Sequence, residues 1–340
     1  MVADIKRDQK MLQKTKSGKW RMLAIVAGSC AALIVAALLC YVFLFNPQRT
    51  FKITESYRVT SEANSETILQ VCLPISSGNQ EIFDLLVVGV DDYTLETYDG
   101  WMELTAKLPT DGSEALVTIS YSVTLMRNAP PWNGPVLDEY LLPQQFVDSD
   151  NRAIIELAEQ FRGDSDYKTA QNILNYVHKT IKNPTGSREN IAQLSASELL
   201  DNPVGVCGDN AILMTALLRA EGIPARKIDG LSLMLPLSKA SDWNHPGIAH
   251  AWVEFYIDGS WHFADPTWGL FYKSDTAHLS FGTYESNIES TFQQNCFDAI
   301  ESSGYSLAGA MSAPLKFMVY STDENATVVP RADASYSWFM

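Results

Sequence analysis

Residues 205–226 read Gly205-Val-Cys-Gly-Asp-Asn-Ala-Ile-Leu-Met-Thr-Ala-Leu-Leu-Arg-Ala-Glu-Gly-Ile-Pro-Ala-Arg226. Ala211, Met214, Thr215, Leu217, Leu218 and Gly222 follow roughly helical spacing, with apolar residues to one side. Gly222 supplies a C-terminal cap and Pro224 blocks continuation. Cys207 therefore falls at or just before a helix N-terminus. There the helix dipole favours the thiolate, the form of cysteine that attacks a carbonyl carbon. A lone cysteine is more often a small buried hydrophobe than a nucleophile, so its partners decide the reading.

Two partners follow in order. Ala249-His250-Ala251-Trp252-Val253-Glu254 comes next, and then Ala264-Asp265-Pro266-Thr267-Trp268-Gly269. Cysteine, histidine and aspartate form a nucleophile–base–orienter series. Residues 250–257 alternate: Ala251, Val253, Phe255 and Ile257 share one face, and His250, Trp252, Glu254 and Tyr256 the other. Asp258-Gly259 is a two-residue hairpin signal, so residues 260–265 run back as the partner strand. Folding there pairs Ile257 with Ser260 and, counting back, Trp252 with Asp265. Asp265 becomes the diagonal neighbour of His250, at about 7–8 Å between backbones, within side-chain reach. The hairpin thus predicts that Asp265 accepts a hydrogen bond from one ring nitrogen of His250. The other nitrogen is left for Cys207.

Gly205-Val-Cys-Gly208, Gly222-Ile-Pro-Ala-Arg226, His250-Ala-Trp252 and Asp265-Pro-Thr-Trp268 together resemble the core of the transglutaminase-like superfamily, in particular its bacterial extracytoplasmic members. The likeness reaches back to Tyr140-Leu-Leu-Pro143 and covers roughly residues 140–270. It implies a papain-like core with Cys207 as nucleophile, His250 as base and Asp265 as orienter. The fold expected is α+β: an N-terminal transmembrane helix, a small β-sandwich-like domain, and a papain-like core whose nucleophile helix packs on an antiparallel sheet.

Residues 1–21 are polar and basic, with seven Lys or Arg against Asp4 and Asp8. Residues 22–45 carry no charge. As a helix they span ~36 Å, enough for a hydrocarbon core of ~30 Å. A cleaved signal peptide would have a shorter apolar run and an Ala-x-Ala site. Leu39 occupies the place before Cys40 where a lipoprotein site needs a small residue. The run reads as an uncleaved signal anchor, single-pass in the cell membrane, with the basic flank cytoplasmic and the remainder extracytoplasmic. The whole chain has net charge −15, and the part beyond residue 21 is more acidic still. Nucleic acid is excluded as a partner, because phosphates are repelled. Neutral or basic substrates suit this surface better than polyanions.

Residues 51–127 read as β-rich. Ala115–Leu125 and Trp101–Leu108 alternate, and Ile68–Leu73 and Leu85–Val90 are shorter strand candidates. Residues 128–139, rich in Pro, Asn and Gly, form a linker. The catalytic domain is placed at 140–272 and a C-terminal extension at 273–340. Within the former, Asp150 is the expected cap of a first helix, with Ile154, Ile155, Leu157, Ala158 and Phe161 facing inward. A second helix is expected at about 166–182, and Ser195-Ala-Ser-Glu198 reads as a capping box. Residues 315–320, 326–329 and 336–339 are apolar, the first two as strand candidates.

Four other histidines need placing. His178 lies on the second helix and reads as a surface residue. His245, in the irregular stretch 230–248, is the competitor of His250 but lacks a hairpin partner. His262 falls on the opposite hairpin face, and His278 follows the core; both read as structural. Of the five cysteines, Cys72 and Cys296 are candidates for pairing, which sequence alone cannot establish. No Cys/His group has zinc spacing, no Gly-rich phosphate loop is present, and no acidic loop marks a calcium site. No cofactor is expected, and the oligomeric state is open.

The chemistry implied is acyl transfer. The thiolate attacks an amide carbonyl, of a peptide bond or a Gln side chain. A thioester forms and the amine leaves, protonated by His250. Water then gives hydrolysis, and a second amine gives cross-linking. The backbone N–H of Cys207 is one oxyanion donor. Animal transglutaminases supply a second from an upstream tryptophan, but no Trp occurs between Trp132 and Trp243. Gln193 is a substitute donor in the manner of papain-like proteases. The missing tryptophan tilts the reading toward a membrane-anchored cysteine peptidase or amidase acting on an extracytoplasmic protein or peptide, the cell envelope included. The alternatives are a protein-glutamine gamma-glutamyltransferase and a non-catalytic envelope-binding or scaffold module.

Overall fold

The computed structural model describes residues 48–60, 67–98, 100–108, 113–182, 194–233, 248–283, 317–321 and 333–339, together with Ser29 and residues 33–35. The strands of the first half are β1 (Gln48–Thr60), β2 (Thr67–Pro74), β3 (Gln80–Val88), β4 (Tyr93–Thr97), β5 (Trp101–Lys107) and β6 (Glu114–Met126). Four α-helices follow among the described residues: α1 (Arg152–Ala158), α2 (Asp166–Thr180), α3 (Glu198–Asp201) and α4 (Cys207–Ala220). The later strands are β7 (Ala225–Ser232), β8 (Ile248–Ile257), β9 (Ser260–Asp265), β10 (Leu270–Phe271), β11 (His278–Ser280), β12 (Phe317–Ser321) and β13 (Asp333–Phe339). Residues 48–340 form one compact unit and residues 1–47 another.

Two four-stranded antiparallel sheets, ordered β13-β1-β6-β3 and β12-β2-β5-β4, face each other. Strand alternation explains their core. Phe51, Ile53, Tyr57 and Val59 of β1 and Val117, Ile119, Tyr121 and Val123 of β6 point inward. From the other sheet they meet Leu69, Val71 and Leu73 of β2 and Trp101, Leu104 and Ala106 of β5. Both sheets take a strand from the C-terminal stretch: β12 pairs with β2, and β13 with β1. The apolar end at 336–339 is thus strand.

The third sheet, ordered β10-β9-β8-β7-β11, is antiparallel and carries the helices. Ala251, Val253, Phe255 and Ile257 of β8 bury against α4 in a cluster with its Ile212, Leu213, Ala216 and Leu217, and α2 adds Ile173, Leu174 and Val177 to that cluster by packing on α4. Burying a side chain of this size contributes about 1.5–3 kcal/mol. The opposite face holds Ile228, Trp252 and Phe263. At the β7–β11 edge, Leu231, Leu233, Leu279 and Phe281 enter the sandwich core. The two β systems therefore share apolar packing.

Helix ends follow local chemistry. Asn151, rather than Asp150, caps α1, its side chain accepting from the Ala153 N–H at 2.9 Å. Ile154 and Ala158 are buried, whereas Ile155 faces outward. Ser165 caps α2, and Ser195 and Glu198 bond reciprocally before α3. The α4 helix begins at Cys207. The uncharged run 22–45 lies outside the described residues apart from Ser29 and 33–35, which are helical. Among the described residues no helix is long and apolar enough to cross a membrane. His245, Gln193 and Cys296 also lie outside the described residues. Cys72 is buried in β2.

Candidate active site

The β8–β9 hairpin turns on Asp258 (φ 51°) and Gly259 (φ 80°), both left-handed, as a two-residue turn requires. Its register pairs Ile257 with Ser260 and Val253 with Ala264. His250 and Asp265 thereby reach one another, with His250 Nε2 donating to Asp265 Oδ2 at 2.9 Å. The histidine is 7 % exposed and the aspartate 0 %. With Nε2 committed, Nδ1 is left for the Cys207 side chain, which lies near enough to His250 to act on its pKa. Cys207 occupies the first position of α4 and is partly exposed. One helix start and one hairpin bring the three residues together.

Asp265 is saturated. Its Oδ1 accepts from the backbone N–H groups of Thr267 (2.7 Å) and Trp268 (3.1 Å). Its Oδ2 accepts from His250 and also from His278 Nε2 at 3.2 Å. Four donors exhaust what a carboxylate takes in. Burial alone would raise the Asp265 pKa, but the bonds from His250 and His278 outweigh it and hold the carboxyl well below the usual carboxylate range. Burial likewise pulls His250 down, yet the bond to Asp265 and the nearby Cys207 win and push it up to about 9. These shifts describe one ion pair from its two ends.

The Pro266–Gly269 turn supports the pair. Trp268 stacks on the His250 ring, centroids 4.3 Å apart and planes 19° apart, while remaining 44 % exposed. His178 Nδ1 donates to the Pro266 carbonyl at 3.0 Å, from α2 beneath the turn. Asp209 is fully buried, and its carboxylate accepts the Val206 N–H at 2.7 Å, so its charge serves the helix start. Farther along the sheet, Arg226 and Glu254 form a buried ion pair at 2.8 Å, with the guanidinium 4.3 Å from the Trp261 ring.

Residues 155–266 match the transglutaminase-like superfamily. The segment runs from within α1 to just past β9, so Cys207, His250 and Asp265 all lie within the matched residues. No curated protein matches the chain. Among solved structures, a proposed cysteine protease from Cytophaga hutchinsonii is similar at 20% identity and TM-score 0.47, over 86% of this chain and 99% of that one. The periplasmic domain of TgpA from Pseudomonas aeruginosa is similar at 17% identity and TM-score 0.32, over 65% of this chain and 88% of that one. Both likenesses are distant and carry no chemistry over to this chain.

His278, read from sequence as structural, lies closer to the site than its place in the chain suggests. It is 1 % exposed and touches Asp265. No local motif announces this: β11 is three residues long and reaches the site only by pairing with β7, His278 opposite Ser232. The Asp275-x-x-His278 spacing is the one faint signal. His250, Asp265 and His278 each place one polar atom within 4.8 Å of the others. Those atoms are already engaged: both imidazole Nε2 groups bond to the same carboxylate oxygen. The donor set is accounted for by hydrogen bonding, and no cation site is assigned. His262 stacks on Tyr272 at 4.1 Å on the far face, away from His250.

Proposed function

We propose that this protein is a membrane-anchored, transglutaminase-like cysteine hydrolase, a peptidase or amidase that works through a thioester on an extracytoplasmic protein or peptide. The observation that carries the reading is the His250 imidazole bonded to Asp265 with the Cys207 side chain close by. Cys207 is the nucleophile, standing where the α4 dipole favours negative charge. His250 takes the thiol proton and, as an imidazolium paired with Asp265, returns it to the leaving amine. Asp265 fixes the ring with Nε2 turned inward and Nδ1 toward the sulfur. The substrate carbonyl carbon bonds to Sγ, its C–N bond breaks, and the amine departs with the proton. Water, deprotonated by the now neutral His250, then releases the acid and restores the thiol.

Anchoring rests on the uncharged run 22–45 and the basic segment before it. The acidic balance of the rest favours neutral or basic peptides. Hydrolysis is preferred to cross-linking because no tryptophan stands upstream of Cys207 where an animal-type oxyanion donor belongs.

The test is to incubate the full chain with envelope peptides, quench in acid and seek an acyl adduct on Cys207 by mass spectrometry. An adduct, with water the acceptor in preference to a labelled amine, is the expected result. Absence of any adduct from wild type and from His250→Ala alike would leave only a binding module.

A further inference from the structure

The polar chain at the site does not end at Asp265. His278 Nε2 meets Asp265 Oδ2 at 3.2 Å, and its Nδ1 meets Asp275 Oδ1 at 2.9 Å. Both partners are carboxylates, which when ionised only accept. A neutral imidazole has one donor and one acceptor nitrogen, so it satisfies one of the two contacts. Only an imidazolium satisfies both. Asp275 is itself anchored: its Oδ1 also accepts from the N–H groups of Ala277 (2.7 Å) and His278 (3.1 Å). Three aromatic rings wall the imidazole, with Trp252, Phe263 and Trp268 at centroid distances of 4.9, 5.0 and 5.0 Å.

We propose that His278 is a positioning residue for the reaction, a buried imidazolium between Asp275 and Asp265 that fixes the Asp265 carboxylate for His250. The inference rests on the acyl-transfer reading for its consequence, though not for the charge state. The groups facing His278 are Asp275 on its own turn, Asp265 at the end of β9 and His250 on β8, whose ring is 5.3 Å away. Arg49 of β1 lies near enough to Asp275 to feel its charge. Burial pulls the His278 pKa down, but bonds to the two carboxylates outweigh it and raise it.

The sandwich holds this arrangement in place. Gln80, on β3, donates its amide to the Ser280 carbonyl at 3.0 Å and accepts the Ser280 N–H at 2.7 Å. Asn79 donates to the Asp275 carbonyl at 3.2 Å. The Asn128 N–H donates to the Ser274 carbonyl at 3.0 Å. The Ser274–Ser280 segment is thus pinned from the sandwich side, and through His278 the sandwich reaches the reacting residues. That gives the β domain a part in the chemistry beyond spacing.

Two experiments on the full chain test the inference. The chain has five histidines, so nitrogen-15 histidine spectra are sparse. His278, assigned by its loss in His278→Gln, should show both ring nitrogens protonated at pH 7–8 in wild type and in Cys207→Ser. A single protonated nitrogen overturns the proposal, whatever Cys207 does. The second reads the rate at which iodoacetate alkylates Cys207 across pH. This anionic reagent is drawn by the His250 imidazolium, so its rate falls where His250 loses its proton. His278→Gln keeps an amide donor for Asp265 and removes the positive charge. Losing a nearby cation raises the pKa of His250, so the alkaline fall should move to higher pH. His278→Leu removes donor and charge, and a misplaced Asp265 should slow alkylation by up to about 100-fold. A fall that stays put or moves to lower pH in His278→Gln would reduce His278 to packing. Slow, featureless alkylation in wild type with a doubly protonated His278 would instead overturn the acyl-transfer reading alone.

Discussion

Trp268 lies flat on His250, ring on ring at 4.3 Å, with 44 % of its own surface in water. The indole covers one face of an imidazole whose bond to Asp265 must resist competition from solvent. Hydrogen bonds between charged partners strengthen when water is kept away. Trp268→Ala should let water reach the His250–Asp265 pair and slow iodoacetate alkylation of Cys207 by roughly tenfold, or ~1.4 kcal/mol. Trp268→Phe retains a stacking ring and should recover most of that rate. Equal rates for wild type and the alanine variant would show that the indole shields nothing.

The raised pKa of His250 sets a pH window for stability. Its folded value is about 9, above the ordinary imidazole value of 6.5. The sign follows from linkage: the pair's contribution is complete below about 6.5 and disappears as pH rises through about 9. Asp265 works the other way, its contribution present above its unfolded value and lost as pH falls through its lower folded one. The melting temperature should therefore decline between pH 6.5 and 9, and His250→Gln should flatten that decline. A slope untouched by the substitution would assign the pH dependence to other groups.

Replacing Asp265 with Asn tests the orienter directly. The amide leaves the shape of the site but offers a donor where two histidine N–H groups and two backbone N–H groups need acceptors. In serine triads the equivalent exchange lowers kcat about 10⁴-fold by selecting the wrong tautomer. Turnover in Asp265→Asn should fall by a comparable factor while the fold survives, checked by hydrolysis rate beside circular dichroism. Turnover within tenfold of wild type would remove Asp265 from the mechanism.

What was legible in the sequence was local. The Asp258-Gly259 turn fixes the β8–β9 register by counting, so the His250–Asp265 contact could be read without coordinates. Gly222 and Pro224 end α4, and the alternation of β8 gives its two faces. The unread parts depend on long-range pairing. β11 meets β7 across most of the sheet's connecting chain, and nothing near His278 marks that. β12 and β13 join strands more than 240 residues earlier. The stack of Trp268 on His250 depends on how a turn packs, which side-chain types alone do not specify.

Arg226 closes the Gly222–Arg226 motif and stands on β7, where its partner is not a candidate site residue but Glu254. It pairs with Glu254 across β7 and β8, both side chains about nine-tenths buried, and lies over Trp261 and Tyr140. Breaking such a pair strands a buried charge, at a cost of about 3–5 kcal/mol. Arg226→Met should therefore lower stability by that order in denaturant titration. Adding Glu254→Leu removes the orphaned carboxylate and should restore much of the loss. A double variant no more stable than the single would mean that cation–aromatic packing, rather than the ion pair, holds this face.

Gly269 closes the turn that serves Asp265. Its φ of +69° is a conformation that costs an L-residue about 1–2 kcal/mol. A Cβ there would also meet His178 Nε2 at 3.1 Å. His178 cannot retreat freely, because its Nδ1 donates to the Pro266 carbonyl of the same turn. Gly269→Ala should thus strain the backbone and shift the turn whose N–H groups hold Asp265 Oδ1. Melting temperature should fall by a few degrees, and Cys207 alkylation should slow in the same variant. Removing the clash with His178→Ala in that background also removes the Pro266 bond, so it should restore neither. Recovery of both in the double variant would place the cost in the steric contact alone and leave φ irrelevant. Wild-type stability and reactivity in Gly269→Ala would show that the turn does not support the aspartate at all.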